Sequence, residues 1–201
     1  MPNRQEFFNE AADSWDSQFY TPKLIRFLEQ MVPTFNLKPG QKILDLGTGT
    51  GILIPFLLKA VGSKGSVTAV DYSEKMVEIC KAKYGQNPNV KVMVKDAENL
   101  QFSNETFDVI TCFGMFPHLE NKKQALSEMN RVLTPQGRLI IVHALSSSEI
   151  AAHHRNASPV VANDVLPTQE NMCNLLRNAG FSDIQITDKS GCYLCLSNKS
   201  T

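Results

Sequence analysis

Residues 42–51 read Lys42-Ile43-Leu44-Asp45-Leu46-Gly47-Thr48-Gly49-Thr50-Gly51, an apolar run that ends in three closely spaced glycines. Ile52-Leu53-Ile54 then begins a second apolar stretch. The pattern predicts a buried β-strand, a tight turn and the first residues of an α-helix. Glycine allows backbone angles that side chains forbid, and it lets a ligand approach the main chain closely. The stretch therefore predicts a strand–turn–helix unit that a ligand can approach.

Two common glycine-rich ligand turns do not match this stretch. A dinucleotide-binding turn has the pattern Gly-x-Gly-x-x-Gly, and Ile52 stands where its third glycine belongs. A Walker A loop ends in Gly-Lys-Ser or Gly-Lys-Thr, and the stretch has no such ending. The remaining interpretations are a different ligand turn and a plain turn without a ligand.

Composition bounds the class of protein. A length of 201 residues fits one domain with a substantial core, and 20 basic residues balance 20 acidic ones. Balanced charge disfavours a nucleic-acid partner, which usually meets a basic face. The N-terminus is polar, no apolar run approaches the roughly 20 residues that span a bilayer, and the five cysteines show no disulfide spacing. We expect a cytoplasmic protein without membrane insertion.

Strand-like and helix-like segments alternate along most of the chain. Apolar runs predict strands at 42–47, 66–71, 90–96, 107–114 and 138–143. Alternation of these strands with helices is typical of a parallel sheet built from right-handed βαβ units. The last two strand-like segments, 181–187 and 192–197, predict a closing hairpin. The expected fold class is α/β.

Polar residues follow three of these strands. The glycine turn follows the first strand, Asp71 ends the second and Asp96 ends the third. In open α/β sheets, ligands bind outside the carboxyl ends of the strands. An acid at the position of Asp71 can accept hydrogen bonds from both ribose hydroxyls, and Asp96 could accept one from an adenine amino group. The pattern favours a ligand that contains adenosine.

The first two of these segments carry a family resemblance. Asp45-Leu46-Gly47-Thr48-Gly49-Thr50-Gly51 resembles the first motif of class I methyltransferases, which bind S-adenosylmethionine. Val67-Thr68-Ala69-Val70-Asp71-Tyr72-Ser73 with Met76 resembles their second motif. The family fold implied by the resemblance is Rossmann-like and doubly wound. It has seven mostly parallel strands, an antiparallel last strand, and helices on both faces.

Later segments extend the resemblance in order and with normal spacing, so that it covers about residues 36–145. Lys95–Phe102 and Glu105–Ile110 resemble the third and fourth motifs, and Arg131–Leu139 resembles the motif before strand five. The chain is similar to the small-molecule methyltransferases of type 11, which include ubiquinone and menaquinone methyltransferases.

The resemblance also divides the single predicted domain, 1–201, into regions. An N-terminal segment of the form Phe-x-x-x-Ala-x-x-Trp-Asp, from Phe8 to Asp16, is similar to the helix that caps the cofactor in small-molecule members. The expected regions are a helical cap at 1–35, a cofactor-binding core at 36–145, a substrate lid at 146–167, and a closing helix and strands at 168–201.

The resemblance implies a set of cofactor-binding residues. Gly47, Gly49 and Gly51 would face the methionine part, Asp45 would help to hold its amino group, and Asp71 would hold the ribose. Core packing is as strong an interpretation for Met76 as cofactor contact. The complete expected set is Asp45, Gly47, Thr48, Gly49, Gly51, Asp71, Tyr72, Met76, Asp96, Ala97, Cys112, Phe113 and Gly114.

Histidines mark the candidate acceptor side. His118 follows the fourth strand, His143 ends the fifth, and His153 and His154 lie in the predicted lid. We expect His118, His143 and His154 to act as a base or to orient the acceptor, with His118 first. Ordinary polar histidines are the competing interpretation, and a metal site built from two or three of them is a weaker one. The prediction includes no metal.

The predicted function is direct displacement of a methyl group from S-adenosylmethionine to a small-molecule acceptor, with S-adenosylhomocysteine as the product. An apolar or aromatic acceptor is favoured by aromatic residues in the cap and after strand four. A methyltransferase-like protein that binds the cofactor without catalysis is the alternative. A nicotinamide-dependent oxidoreductase is disfavoured by Ile52. We expect a monomer or a homodimer and no nucleic-acid partner.

Overall fold

The computed structural model describes residues 3–200 of the chain. The α-helices of this part are α1 (Arg4–Phe19), α2 (Pro22–Met31), α3 (Ile54–Val61), α4 (Glu74–Tyr84), α5 (Lys122–Val132), α6 (Ser147–Ala157) and α7 (Gln169–Asn178). The strands are β1 (Lys42–Leu46), β2 (Ser66–Asp71), β3 (Val90–Val94), β4 (Phe107–Phe113), β5 (Leu133–His143), β6 (Phe181–Lys189) and β7 (Cys192–Lys199). Short 3-10 turns occupy Val32–Phe35 and Phe116–His118.

The strand order is β3-β2-β1-β4-β5-β7-β6. β1 pairs with β2, β2 with β3, and β4 with β5, all in parallel. β7 runs antiparallel to both β5 and β6. This confirms the predicted α/β class, with seven mostly parallel strands and an antiparallel last strand. The chain divides into two compact units, one that ends at Asp96 and one that begins at Ala97.

The first unit is built on three parallel strands. The side chains of Ile43, Leu44 and Leu46 in β1 are buried, as an apolar strand between two neighbours requires. Helix α2 ends at Met31, and the chain continues as a 3-10 turn that contains Pro33. The helix predicted after the glycine turn begins at Ile54, because turns occupy the residues after the glycines.

The second unit contains the other four strands. The strand predicted at 138–143 begins earlier, at Leu133, and its first part shifts register and includes Gln136 with a φ of 63°. The hairpin predicted near the C-terminus is present, and its strands are longer than predicted. The first turn of α6 is stabilised by a capping box between Ser146 and Glu149.

Two further expectations bear on the class of protein. No helix within residues 3–200 is long and apolar enough to cross a membrane. The five cysteines are free thiols, and all of them except Cys173 are buried. The division into cap, core, lid and closing segment stays a prediction.

Candidate functional site

The glycine turn of the first unit is held against the end of β2. The backbone N–H groups of Gly47 and Thr48 donate to the carbonyl of Val70 at 2.8 and 2.9 Å. The Thr48 hydroxyl donates to Oδ2 of Asp45 at 2.7 Å, so this buried carboxylate has one side-chain donor inside its own motif. The turn is therefore fixed by its own main chain and by the acid that precedes it.

Two glycines of the turn have different surroundings. Gly49 has a φ of 55°, and a Cβ placed on it would lie 3.7 Å from Nε1 of Trp15, which is ordinary contact. Gly51 has a φ of 94°, and a Cβ there would lie 2.6 Å from the ring of Tyr84. Both backbone angles favour glycine, but only Gly51 is also enclosed by side chains. A Cβ on Gly49 would thus make only ordinary contact with Trp15 of α1, whereas the absence of one on Gly51 lets α4 pack closely.

Asp71 lies beside the same turn. It is buried, and its two carboxylate oxygens accept hydrogen bonds from the backbone N–H groups of Gly49 and Ser73, each at 2.9 Å. Burial raises the pKa of Asp71, and the backbone hydrogen bonds act in the opposite direction. Each oxygen has a further lone pair, so the carboxylate can accept hydroxyl donors without losing its backbone partners.

Helix α1 covers the glycine turn within the first unit. The Thr50 hydroxyl donates to the carboxylate of Asp16 and lies 2.7 Å from the hydroxyl of Tyr20. The side chain of Lys83 also donates to Asp16. Burial raises the pKa of Tyr20, which therefore keeps its proton at neutral pH. These contacts place the C-terminal part of α1 over the turn.

The N-terminal half of α1 is tied to the start of α4. The Gln5 side chain donates to the carbonyl of Tyr72 at 2.8 Å. Oδ1 of Asn9 accepts from the Ser73 hydroxyl at 2.6 Å and from the backbone N–H of Lys75 at 3.2 Å. Asn9 therefore satisfies one of the N–H groups that a helix leaves open at its N-terminus. These hydrogen bonds hold α1 against α4, although the two segments are more than 60 residues apart in the sequence.

The remaining predicted residues of the first unit differ in exposure. Tyr72 is half-buried, and its ring meets that of Phe8 edge-on with centroids 6.1 Å apart. Met76 is 1% exposed and lies in α4, so its side chain belongs to the core of this unit. Asp96 is exposed just after β3. Their assignment to cofactor binding stays a prediction.

The first unit fits the methionine and ribose ends of S-adenosylmethionine by its chemistry. The cofactor carries an ammonium group and two ribose hydroxyls, which are hydrogen-bond donors. Asp45 and Asp71 are buried carboxylates, which only accept when ionised. The main chain of the turn is held beside Asp71 by the N–H of Gly49, which has a φ of 55°. We expect these residues to hold the cofactor, which supplies an electrophilic methyl group when it is bound.

Four predicted cofactor residues lie in the second unit. Ala97 and Cys112 are buried, and Phe113 is half-buried at the end of β4. Gly114 has a φ of 70°, its N–H donates to the carbonyl of Val142 at 3.0 Å, and a Cβ on it would meet no described atom within 4 Å. The end of β4 is therefore open at Gly114, and its predicted contact with the cofactor is untested.

Two histidines and one acid form a cluster in the second unit. Nδ1 of His118 lies 2.8 Å from Oδ2 of Asp164, whose side chain is 3% exposed. Nδ1 of His154 lies 2.5 Å from the carbonyl oxygen of Asp164. The rings of His118 and His154 have centroids 4.7 Å apart. The geometry thus joins two of the three predicted catalytic histidines through a single residue.

His143 is the deepest histidine of the second unit. Burial is the largest cause that lowers its pKa to about 3, and the neighbouring His118 and His154 act in the same direction. Among the described residues, its Nε2 has no hydrogen-bond partner. Its ring meets that of Tyr193 edge-on, with centroids 6.1 Å apart. His143 is therefore a neutral side chain at physiological pH, and its predicted catalytic role stays a prediction.

Local sequence explains where the histidine cluster forms. Phe116 and Pro117 are buried and anchor the 3-10 turn that ends at His118. The Lys122 side chain donates to the carbonyls of Pro117 and Leu119 at 3.0 and 2.8 Å, which secures the turn from α5. The burial of Phe116 also removes it from the apolar surface that the sequence suggested for an acceptor.

Asp164 is the functional candidate that the motif analysis missed. It lies in the irregular stretch between Pro159 and Pro167 and falls in none of the recognised motifs. One signal was available, because Asp164 is the only acid between Glu149 and Glu170. Within the described chain, no group of three or more His, Cys, Asp or Glu side chains is arranged to hold a metal ion.

Comparison with known proteins gives the family of this architecture. Residues 43–137 match a family model described as a methyltransferase domain. A SAM-dependent methyltransferase from Aquifex aeolicus is similar over 92% of this chain and 97% of its own, with 25% identity and a TM-score of 0.75. Residues 43–137 therefore match a methyltransferase domain. These matches agree with the family, the enzyme class and the cofactor S-adenosylmethionine that the motifs predicted.

Curated relatives share one name that is more specific than that of the family model. Demethylmenaquinone methyltransferases of Staphylococcus epidermidis and Staphylococcus aureus are 38% identical over 112 residues, which is 56% of this chain and 46% of each relative. The chain thus spans about half the length of the curated relatives it matches. The [4+2]-cyclase SpnF is similar in fold over all of this chain, with a TM-score of 0.78 and 15% identity. That likeness concerns the fold alone.

Proposed function

We propose that the protein transfers a methyl group from S-adenosylmethionine to a small-molecule acceptor. The observation that carries the proposal is the pair of buried carboxylates, Asp45 and Asp71, beside a glycine turn in which the main chain of Gly49 donates to Asp71. The methyltransferase family supports the same cofactor. The residues of this chain bind and align the reactants, since methyl displacement depends mainly on proximity and orientation.

The name of the curated relatives supports the small-molecule part of the proposal. Those relatives are demethylmenaquinone methyltransferases, and the matched segment covers about half of each. Reduced demethylmenaquinone is therefore the first acceptor to test. An apolar, aromatic acceptor of this kind also agrees with two half-buried side chains, Phe113 at the end of β4 and Met115 after it.

Calorimetry of the full chain tests the cofactor. We expect S-adenosylmethionine and S-adenosylhomocysteine to bind and NAD not to bind. Binding of NAD without binding of either sulfur compound would overturn the assignment. We expect NAD not to bind because Ile52 stands where a dinucleotide-binding turn has its third glycine.

Transfer of a labelled methyl group tests the reaction. The acceptors are reduced demethylmenaquinone, a panel of phenols and an extract of cell metabolites. We expect label in a small molecule and release of S-adenosylhomocysteine in equal amount. Tight cofactor binding without label in any acceptor would overturn the enzymatic proposal and favour a protein that binds the cofactor without catalysis.

A further inference from the structure

Two buried polar side chains lie next to each other at the end of β5 and the start of β7. His143 and Tyr193 are paired across these strands, and their rings meet edge-on with centroids 6.1 Å apart. They are 6% and 2% exposed. Within residues 3–200, neither Nε2 of His143 nor the hydroxyl of Tyr193 has a hydrogen-bond partner. Native proteins pair almost all buried polar groups, so two adjacent exceptions indicate a partner that binds there.

Both side chains of this pair are uncharged at neutral pH. Burial is the largest cause that lowers the pKa of His143 to about 3, and burial raises the pKa of Tyr193. A phenol hydroxyl both donates and accepts, and Nε2 of a neutral imidazole does one or the other according to its tautomer. A hydroxyl or carbonyl oxygen can complement such a pair, whereas a buried charge would find no opposite charge on either side chain. The pair therefore favours an uncharged ligand.

The neighbouring positions favour a ligand with an apolar body. Alternate residues of a strand share one face, so the next pair on the face of His143 is Ile141 with Cys195. Both members of that pair are buried and apolar. Gly114 is the first residue after β4, which pairs in parallel with β5. A Cβ on Gly114 would meet no described atom within 4 Å, so the missing side chain leaves room where these two strands end.

Helix α6 runs past both members of the pair. The Glu149 carboxylate accepts from the Ser190 hydroxyl and from the backbone N–H of Gly191, each at 2.8 Å, just before the start of β7. Farther along α6, His154 lies close enough to His143 to contribute to its lowered pKa. The pair is so deeply buried that a ligand reaches it only when a covering segment moves. The attachments of α6 to the hairpin are polar contacts, which water can replace.

We propose that His143 and Tyr193 form a binding site in the second unit for the hydroxyl or carbonyl oxygen of an uncharged, mostly apolar molecule, and that α6 moves to admit it. The inference goes beyond the proposed function, because it concerns binding by the second unit and requires no methyl transfer. The Tyr193 hydroxyl donates to the ligand oxygen or accepts from it, and Nε2 of His143 takes the complementary role. The free protein leaves both groups unpaired at a cost in stability, and the ligand removes that cost.

Calorimetry of the full chain with 2-naphthol tests the site. This probe is an uncharged phenol with an apolar body at neutral pH, and 2-naphthoate is its charged counterpart. We expect 2-naphthol to bind, and 2-naphthoate to bind at least roughly tenfold more weakly because its charge would be buried without a partner. Tyr193→Phe keeps the ring and removes the hydroxyl, so it should weaken 2-naphthol binding roughly 2- to 12-fold, the equivalent of one neutral hydrogen bond. His143→Phe, which also keeps a ring, should weaken it by a similar factor.

Urea unfolding of the free protein separates a ligand site from a structural role. Because the Tyr193 hydroxyl is unpaired, the urea midpoint of Tyr193→Phe should equal that of the wild type or exceed it. Tyr84→Phe is the matched change in α4 of the first unit, and it should leave 2-naphthol affinity unchanged. A lower midpoint in Tyr193→Phe would mean that the hydroxyl has a partner in the free protein, and would overturn the proposal.

The rate of binding tests the movement of α6. The Asp188 carboxylate accepts from the backbone N–H and from the hydroxyl of Ser147 at the start of α6. Asp188→Ala removes this attachment and should raise the association rate of 2-naphthol, measured by its fluorescence in stopped flow, because an opening step slows association. An equal or lower rate would overturn the role of α6.

The site itself is overturned by either of two results. One is the absence of 2-naphthol binding to the wild-type protein, and the other is equal affinity in the wild type and Tyr193→Phe. Methyl transfer is measured separately with the labelled cofactor. Its absence would overturn the proposed function and leave the 2-naphthol site standing.

Discussion

Asp71 and Asp164 are both buried carboxylates, but their partners differ in kind. Asp71 accepts from the backbone N–H groups of Gly49 and Ser73. Asp164 accepts from the imidazole of His118. A backbone N–H keeps its proton at every physiological pH, whereas an imidazole gains and loses one near neutrality. The first carboxylate is therefore held by fixed main-chain donors, and the second is held by a side chain.

The difference shows that burial alone does not define the role of an acid. Both acids are below 9% exposed, and neither has an isolated charge. What separates them is whether the compensating donor is part of the main chain or a titratable side chain. Variants that exchange charge for a neutral amide should therefore affect different measurements in the two units.

The largest expected effect is on cofactor affinity. Asp71→Asn should weaken binding of S-adenosylmethionine roughly 10- to 100-fold, because a hydrogen bond to a charged group contributes about 1.5–3 kcal/mol. Calorimetry measures the dissociation constant directly. The matched variant is Asp164→Asn, which replaces the other buried acid and should leave the constant unchanged.

Equal losses of affinity in the two variants would contradict the comparison. Unchanged affinity in Asp71→Asn would remove its predicted role with the ribose. Unfolding by urea serves as the control, since it separates loss of binding from loss of fold.

The next effect concerns the glycine turn beside Asp71. Gly51→Ala should lower the free energy of unfolding by about 2–4 kcal/mol. The positive φ costs about 1 kcal/mol, and overlap with the ring of Tyr84 adds about 1–3 kcal/mol. Gly40→Ala is the matched control, because Gly40 has a φ of 86° and meets no described atom within 4 Å. It should show the strain alone, and an equal loss in both variants would contradict the packing role of Gly51.

A third effect concerns the buried histidines of the second unit. Free histidine has a pKa of about 6.5, and burial lowers that of His143 to about 3. Below pH 6.5 the unfolded chain therefore binds a proton that the native state refuses, and stability falls as the pH falls toward 3. The slope is about 1.4 kcal/mol per pH unit for one proton. His143→Gln should remove this slope between pH 6 and 5 in urea unfolding.

The exposed His153 gives the control for the pH effect. His153→Gln should change the pH dependence of stability less than His143→Gln, because the side chain of His153 is exposed. An unchanged slope in His143→Gln would mean that other groups cause the acid destabilisation. Glu149 is not such a group in this range, since its backbone hydrogen bonds lower its pKa to about 2, and its contribution is lost only below about pH 4.5.

The same contrast explains what sequence can predict. The turn from Asp45 to Gly51 is a local motif, in which spacing alone predicts strand, turn and helix, and the structure confirms that order. The acid at the end of β2 follows from the same periodicity. These features depend on neighbours within a few residues, so a single sequence contains the information.

The histidine cluster depends on contacts that no local pattern contains. His118 and Asp164 are 46 residues apart, and Asp164 lies in an irregular stretch without periodicity. The covering contact of Asp16 with Thr50 likewise joins residues 34 positions apart. The start of the helix predicted after Gly51 was also wrong, because turns after that residue delay α3 to Ile54. Pairings of this kind require the fold.

The smallest expected effect concerns the cover that α1 makes over the glycine turn. Lys83→Met removes the ion pair between Lys83 and Asp16. Both side chains of this pair are partly exposed. Such a pair contributes about 0.2–1 kcal/mol and weakens in salt. We therefore expect a small loss of stability in urea at low salt and almost none at high salt. Thr50 still donates to Asp16 in this variant, so the cover stays attached and cofactor affinity should change little. A large loss of affinity would instead make Lys83 part of the cofactor site, and would mean that the charge on Asp16, rather than Asp71 alone, controls binding in the first unit.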